Sequence, residues 1–90
     1  MNLWRIELNN GDWYLWFAKG KRHALFDLRN THYCDSANLT EFLIECEPRT
    51  RQLPDNELVA VEVDGDIQTR TAAEWCKGQS GGPFSSNTYE

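Results

Sequence analysis

The chain lacks the features that mark several large classes of protein. It has no apolar run of about 18 residues, so no membrane-spanning helix is predicted. It has no basic start followed by an apolar stretch, the pattern of a secretory signal peptide. The glycine-rich residues 78–82 are not followed by the Lys-Ser or Lys-Thr pair of a phosphate-binding loop. These absences predict a cytoplasmic protein without membrane contact and without cofactors.

Cysteine is scarce and widely spaced. Cys34, Cys46 and Cys76 are an odd number with no Cys-x2-Cys pair, so neither a disulfide framework nor a structural zinc site is predicted. We interpret Cys46 and Cys76 as small apolar core residues. An alternative is a small metal protein or enzyme in which Cys34 acts with His32 or His23, while the other two cysteines complete the ligand set.

Positive charge is also limited, because 9 Lys and Arg stand against 14 Asp and Glu, a net charge of −5 at pH 7. Phosphate binding relies on Lys and Arg, so this balance disfavours a nucleic-acid partner. The excess lies in residues 41–66, where two arginines face eight acidic side chains: Glu41, Glu45, Glu47, Asp55, Glu57, Glu62, Asp64 and Asp66. One interpretation is a single acidic surface that contacts a basic protein partner. The other is a solvated acidic face that maintains solubility.

The first 28 residues predict a three-stranded β-meander. Asn10-Gly11 favours a two-residue type I′ turn, and this register pairs apolar residues on one face: Leu8 with Trp13, Ile6 with Leu15, and Trp4 with Phe17. A second turn at Gly20-Lys21 adds a third strand, which continues the same apolar face through Ala24, Phe26 and Leu28.

The opposite face of this meander would carry Tyr14 and Trp16 beside Arg5. Because Trp, Tyr and Arg dominate the binding energy of protein interfaces, these three residues are candidates for partner binding. A plainer interpretation is that another element covers this face, or that Arg5 lies over Trp16 in a cation–π pair. The same face, extended by Lys19, Lys21 and Arg22, offers an alternative function as a single-stranded nucleic-acid binder, since bases stack on aromatic side chains beside basic ones.

The remaining residues predict one helix, one hairpin and one short helix. The stripe of Leu39, Phe42, Leu43 and Cys46 indicates a helix near 37–47, capped by Asp35, Ser36 or Asn38. Residues 49–53 lie between prolines and are expected to form an exposed loop. A hairpin follows, with strands 58–63 and 67–70 and a three-residue loop that pairs Val63 with Ile67. Thr71 and Glu74 have capping-box spacing, which predicts a helix near 72–77.

The predicted fold is therefore α+β. It has an antiparallel sheet of about five strands, a single domain over 1–77 and a flexible tail over 78–90. No motif for catalysis is present, so we expect a binding protein rather than an enzyme. In size, acidity and absence of catalytic motifs the chain resembles the small inhibitors that phages and mobile elements use against host defence or transcription machinery. That resemblance implies a protein partner with a basic surface, bound through the acidic segment 41–66.

Overall fold

The computed structural model describes residues 1–32 and 38–87, which form an α+β fold as predicted. Four strands build an antiparallel sheet in the order β3-β1-β2-β6, and two further strands, β4 and β5, form a separate hairpin. The elements are β1 (Asn2–Glu7), β2 (Trp13–Ala18), α1 (Lys21–His32), α2 (Leu39–Cys46), β3 (Arg49–Gln52), β4 (Leu58–Val63), β5 (Asp66–Thr71), α3 (Ala72–Cys76) and β6 (Gly82–Ser86).

Strands β1 and β2 pair as predicted, but their register differs from the prediction by one residue. Trp4 lies opposite Trp16, and Ile6 lies opposite Tyr14. A shift of one residue moves every side chain of one strand to the other face relative to its partner. As a result Tyr14 and Trp16 share a face with Trp4 and Ile6. The prediction that Tyr14 and Trp16 lie on the face opposite Trp4 and Ile6 is wrong.

The cause of this shift is the length of the loop between β1 and β2. The Leu8 N–H donates to the Asp12 carbonyl at 2.8 Å, so three residues separate the paired positions. Gly11 adopts a φ of +93°, and the Gly11 N–H donates to the Leu8 carbonyl at 3.1 Å. A three-residue loop that ends in a glycine with positive φ is the common alternative to the two-residue type I′ turn.

Residues 21–32 form helix α1 rather than the predicted third strand. Gly20 lies just before the helix, and its carbonyl accepts a hydrogen bond from the Ala24 N–H at 3.0 Å. Ala24, Leu25 and Leu28 are buried, which is the spacing of a helical face, whereas Phe26 is 47% exposed. A short apolar run fits both the two-residue period of a strand and the 3.6-residue period of a helix, and here the chain forms the helix.

Two segments predicted to be irregular are edge strands of the four-stranded sheet. Residues 49–52, expected to form a loop, pair with β1 as β3. Residues 82–86, expected to belong to a flexible tail, pair with β2 as β6. The pairing of β6 contains a bulge at Phe84, and Pro83 is tolerated there because β6 has a free edge.

Helices α2 and α3 begin at the predicted capping residues. The Asn38 side chain accepts the Glu41 N–H at 2.9 Å at the start of α2, which is therefore capped by Asn38; Asp35 and Ser36, the other predicted caps, lie outside the described residues. At the start of α3, Thr71 and Glu74 form the predicted capping box, in which each side chain bonds the backbone N–H of the other residue.

The hairpin of β4 and β5 has a shorter loop than predicted. Val63 pairs with Asp66, so only Asp64 and Gly65 lie between the strands. Both have positive φ, 51° and 88°, as a type I′ turn requires. Ile67 therefore lies opposite Glu62, and not opposite Val63 as predicted.

Each face of the four-stranded sheet carries an apolar core. We call one the helix-side face, because its core joins sheet residues to α1 and α2: Trp4, Ile6, Leu8, Tyr14, Trp16, Ala18, Ala24, Leu25, Leu28 and Phe42. We call the other the hairpin-side face, where the hairpin and α3 pack on the sheet through Leu3, Leu15, Phe17, Leu53, Val59 and Ala72. The sheet is thus the middle layer of three.

Candidate functional site

A groove lies beside β4 on the hairpin-side face. It consists of two hollows of about 310 and 340 Å³ that follow one another along the strand, and we call them together the β4 groove. From the hairpin, the first is lined by β4 residues 58–60 and the second by Val61, Glu62, Asp64 and Gly65, while no β5 residue lines either one. Apolar side chains contribute to the lining: Trp13, Leu15, Leu53 and Phe84.

The groove exists because the hairpin covers only part of the sheet. Leu3 and Phe17 pair across β1 and β2 and belong to the core beneath Val59. The next positions on the same face are Arg5 and Glu7, which are charged and partly or fully exposed. We call this uncovered region, with its neighbours Trp13, Arg49 and Arg51, the open half of the sheet.

The open half carries a network of arginine and glutamate side chains. Arg5 donates from Nε to Glu7 Oε1 at 2.8 Å, and its guanidinium lies 4.8 Å from the centre of the Trp13 ring. Arg51 lies directly opposite Arg5 in the strand pairing and bonds Glu57 with both terminal nitrogens, at 2.9 and 3.3 Å. Like charges directly opposite repel each other, so the two glutamates stabilise the arrangement.

These contacts keep both glutamates ionised to lower pH than usual. The hydrogen bond and charge of Arg51, together with the charge of Arg5, lower the pKa of Glu57. The hydrogen bond from Arg5, and then the charges of Arg5, Arg49 and Arg51, lower the pKa of Glu7. Desolvation acts in the opposite direction in both cases but is outweighed.

Replacing Arg51 with glutamine is expected to raise the pKa of Glu57 toward its ordinary value, about 4.3. A carboxyl whose pKa is lowered by folding stabilises the protein above the unfolded pKa, and this contribution is lost as pH falls through the folded pKa. The R51Q protein should therefore lose less stability than the wild type on acidification below about pH 4.3. Titration of the Glu57 carboxyl by NMR, with urea unfolding at neutral and acid pH, measures both effects. The R22Q variant, at an exposed arginine of α1, is the control, and an unchanged Glu57 titration in R51Q would contradict this prediction.

The eight predicted acidic site residues do not form one surface. Glu41, Glu45 and Glu47 lie on or just after α2, which packs on the helix-side face, and we call them the α2 acidic group. Glu62, Asp64 and Asp66 lie on the hairpin, which packs on the opposite face, and we call them the hairpin acidic group. Asp55 and Glu57 lie between β3 and β4. The expectation of a single acidic surface is wrong, because the sheet separates its two ends.

The aromatic patch predicted from Tyr14, Trp16 and Arg5 is also absent. Tyr14 and Trp16 are 3% and 1% exposed in the helix-side core, whereas Arg5 lies on the hairpin-side face over Trp13. The plainer interpretation, that another element covers these rings, is correct, and α1 is that element. The alternative nucleic-acid surface loses its stacking residues for the same reason, although Lys19, Lys21 and Arg22 are exposed before and within the first turn of α1.

The cysteine and histidine residues of the other alternative are separated in the structure. Cys46 packs against the helix-side core and Cys76 against the hairpin-side core, and burial raises the pKa of both thiols. Cys34 lies outside the described residues. The His32 ring packs on the Tyr14 ring at 5.2 Å, and His23 accepts the Lys19 N–H at 3.3 Å. Within residues 1–32 and 38–87, no three potential metal ligands come together.

The sequence does not reveal several residues of the groove and of the open half. The predicted register places Trp13 on a buried face, and the flanking prolines predict a loop at Arg49 and Arg51, which instead lie on β3. Their alternation, arginine at every second position between two prolines, is also the pattern of an edge strand with one charged face.

No helix in the described part of the chain combines the length and apolar character needed to span a membrane.

Comparisons with known proteins give no relative for this chain. No family model matches it, and neither a curated protein nor a solved structure is significantly similar to it.

Proposed function

We propose that this protein is a non-enzymatic, cytoplasmic binding domain that inhibits or regulates a protein partner with a basic surface. The observation that supports this is the outer face of the β4–β5 hairpin. Leu58 and Ile67 are 69% and 75% exposed there, and Ile67 lies directly opposite Glu62. A surface that joins exposed aliphatic side chains to carboxylates is suited to a partner that offers both apolar and cationic groups.

The pairing of the hairpin makes this face continuous. Val59 is buried against the sheet, so its neighbours Leu58 and Ala60 point outward, as alternate residues of a strand do. Ala60 lies opposite Thr69 and diagonal to Ile67. The apolar residues therefore follow one another across the face. Asp64 lies in the turn at its end, and Asp66 follows the turn as an exposed residue opposite Val63.

Proteins that bind nucleic acids carry basic surfaces such as the proposed partner would need, because they bind phosphates through Lys and Arg. We therefore infer that the partner belongs to host defence or transcription machinery, and that the chain acts as an inhibitor of the type encoded by phages and mobile elements. The hairpin acidic group would then occupy positions where phosphates normally bind.

Charge reversal on the hairpin tests this proposal. The E62K/D66K variant should lower capture of the partner from a lysate of the native cell at least about tenfold, as expected for loss of close charge pairs. The matched control is E45K/E47K, which makes the same change in net charge at the end of α2, where cations are tolerated next to the helix C-terminus. Wild-type capture should also weaken as salt is added. Equal capture by both variants, or no partner at all, would count against the proposal.

A further inference from the structure

We propose that the β4 groove binds an extended segment of the partner, which pairs with the free edge of β4 and lies across the open half of the sheet. This inference rests on the proposed function, because it specifies how the same partner is held. It assigns the main contact to backbone hydrogen bonds, with side chains in the groove giving specificity, as in other complexes formed by strand addition.

The backbone of β4 has the groups needed for such pairing. In a hairpin closed by a two-residue turn, the residues that flank the turn form a hydrogen-bonded pair, so Val63, Val61 and Val59 bond β5. The intervening residues Ala60 and Glu62 direct their N–H and C=O groups away from β5. Within the described residues, neither one makes a backbone hydrogen bond outside the hairpin.

The position of the groove selects the β4 edge over the β5 edge, which is also unpaired among residues 1–32 and 38–87. Both hollows are lined from β4, and Trp13 and Phe84 provide large apolar surfaces in them. Trp13 is only half-buried, so a side chain placed over it would remove further apolar area from water. A strand paired with β4 would direct every second side chain toward these apolar residues of the groove.

Charge at the two ends of the groove defines the chemistry of the segment. At the Leu58 end two arginines, Arg5 and Arg51, outnumber one glutamate, Glu57, whereas Glu62 and Asp64 make the turn end acidic. The two ends are separated by about 17 Å, since five residues of strand span about 3.4 Å each. The segment we infer therefore has an acidic residue at the Leu58 end, a Lys or Arg at the turn end, and alternating apolar residues between them.

A second copy of this chain fits the site less well than an isolated segment. Antiparallel pairing of two β4 strands would place both four-stranded sheets on the same side of the joined hairpins. Each open half extends beyond its own β4, so the two open halves would occupy the same space. An extended segment without its own supporting sheet avoids this collision.

The test uses two proline variants and a defined peptide. The probe is a seven-residue peptide with two glutamates at one end, alternating valine and threonine in the middle, and two lysines at the other end. Proline at Ala60 removes an N–H that points out of the β4 edge, and proline at Thr69 does the same on the β5 edge, because Ala60 and Thr69 form a non-hydrogen-bonded pair. Both changes spare the bonds between the strands, as proline is tolerated on free edges. Circular dichroism verifies that both variants fold.

We expect the peptide to protect the Glu62 amide from hydrogen exchange in the wild type, and A60P to weaken binding at least about tenfold while T69P binds as the wild type does. Equal binding by A60P and wild type, protection of β5 amides instead, or no binding at millimolar peptide would overturn the inference. A dimer in sedimentation that is lost only in A60P would also overturn it, since a second copy would then occupy the edge. If E62K/D66K leaves capture of the partner unchanged but the peptide still binds the wild-type protein, the groove is a binding site and the proposed class of partner is wrong.

Discussion

Replacing Trp16 with alanine is expected to lower the free energy of unfolding by about 3–5 kcal/mol, the usual cost of removing a buried aromatic side chain. Trp16 is 1% exposed and is the largest fully buried residue of the described chain. Its ring contacts Tyr14 and His32, with centroids 6.5 and 6.0 Å away. A domain of this size has a total stability of about 5–15 kcal/mol, so this single change would remove a large share of it.

Trp13 provides the matched control for this experiment. It is the neighbouring tryptophan on the opposite face of β2 and is only half-buried, so W13A should cost clearly less than W16A. Urea unfolding followed by far-ultraviolet circular dichroism measures both variants without relying on tryptophan fluorescence. If W13A proved the more damaging of the two, the register described above would be wrong, because the two-residue loop buries Trp13 instead.

The second large effect is expected at Phe42, for which alanine should cost about 3–5 kcal/mol. Phe42 is fully buried and is the α2 residue that lies inside the helix-side core, while Leu39 and Cys46 pack at its border. With eight residues, α2 is too short to be stable without tertiary packing. Loss of this side chain should therefore detach the helix as well as leave a cavity.

Ile44, two residues along the same helix, is the control for Phe42. It is 71% exposed, so I44A should change the free energy of unfolding by no more than about 0.5 kcal/mol. Hydrogen exchange resolves the local effect: amides of α2 should lose protection in F42A and keep it in I44A. Similar losses in both variants would show that α2 is not anchored by Phe42.

The two hairpins show why the sequence predicts pairing better than register. Asn10-Gly11 and Asp64-Gly65 both signal a turn, and both turns are present. Asn10-Gly11, however, belongs to a three-residue loop, and Asp64-Gly65 to a two-residue loop, the reverse of the prediction. A register is fixed by alternation only when one face is polar. Here β2 is apolar on both faces, because each face meets a different core.

The prediction of a third strand in place of helix α1 is wrong for a related reason. Ala24, Leu25, Phe26 and Leu28 satisfy both the period of a strand and the period of a helix. The helical period is realised because residues 24, 25 and 28 cover the helix-side face of the sheet, a contact between residues of different elements. The caps of α2 and α3, by contrast, are local hydrogen bonds between residues three apart, and they were predicted correctly from the sequence.

The candidate site shows the same contrast between local structure, which the sequence predicts, and long-range contacts, which it does not. Glu62, Asp64 and Asp66 could be placed on a hairpin from the sequence alone, since the hairpin is a local structure. The groove could not, because it depends on where β4 crosses the sheet and on bringing together residues far apart in the chain, such as Trp13, Arg51 and Leu58.

Strand β6 has a consequence for the order of events in folding. It pairs Gly82 with Phe17 and Ser86 with Tyr14, while the Asn87 side chain accepts the Trp13 N–H at 2.9 Å. Closing such a long stretch of chain carries an entropic penalty that local contacts do not. Strand β6 therefore docks beside a strand synthesised about 65 residues before it, and the backbone edge of β2 stays unpaired until β6 is in place.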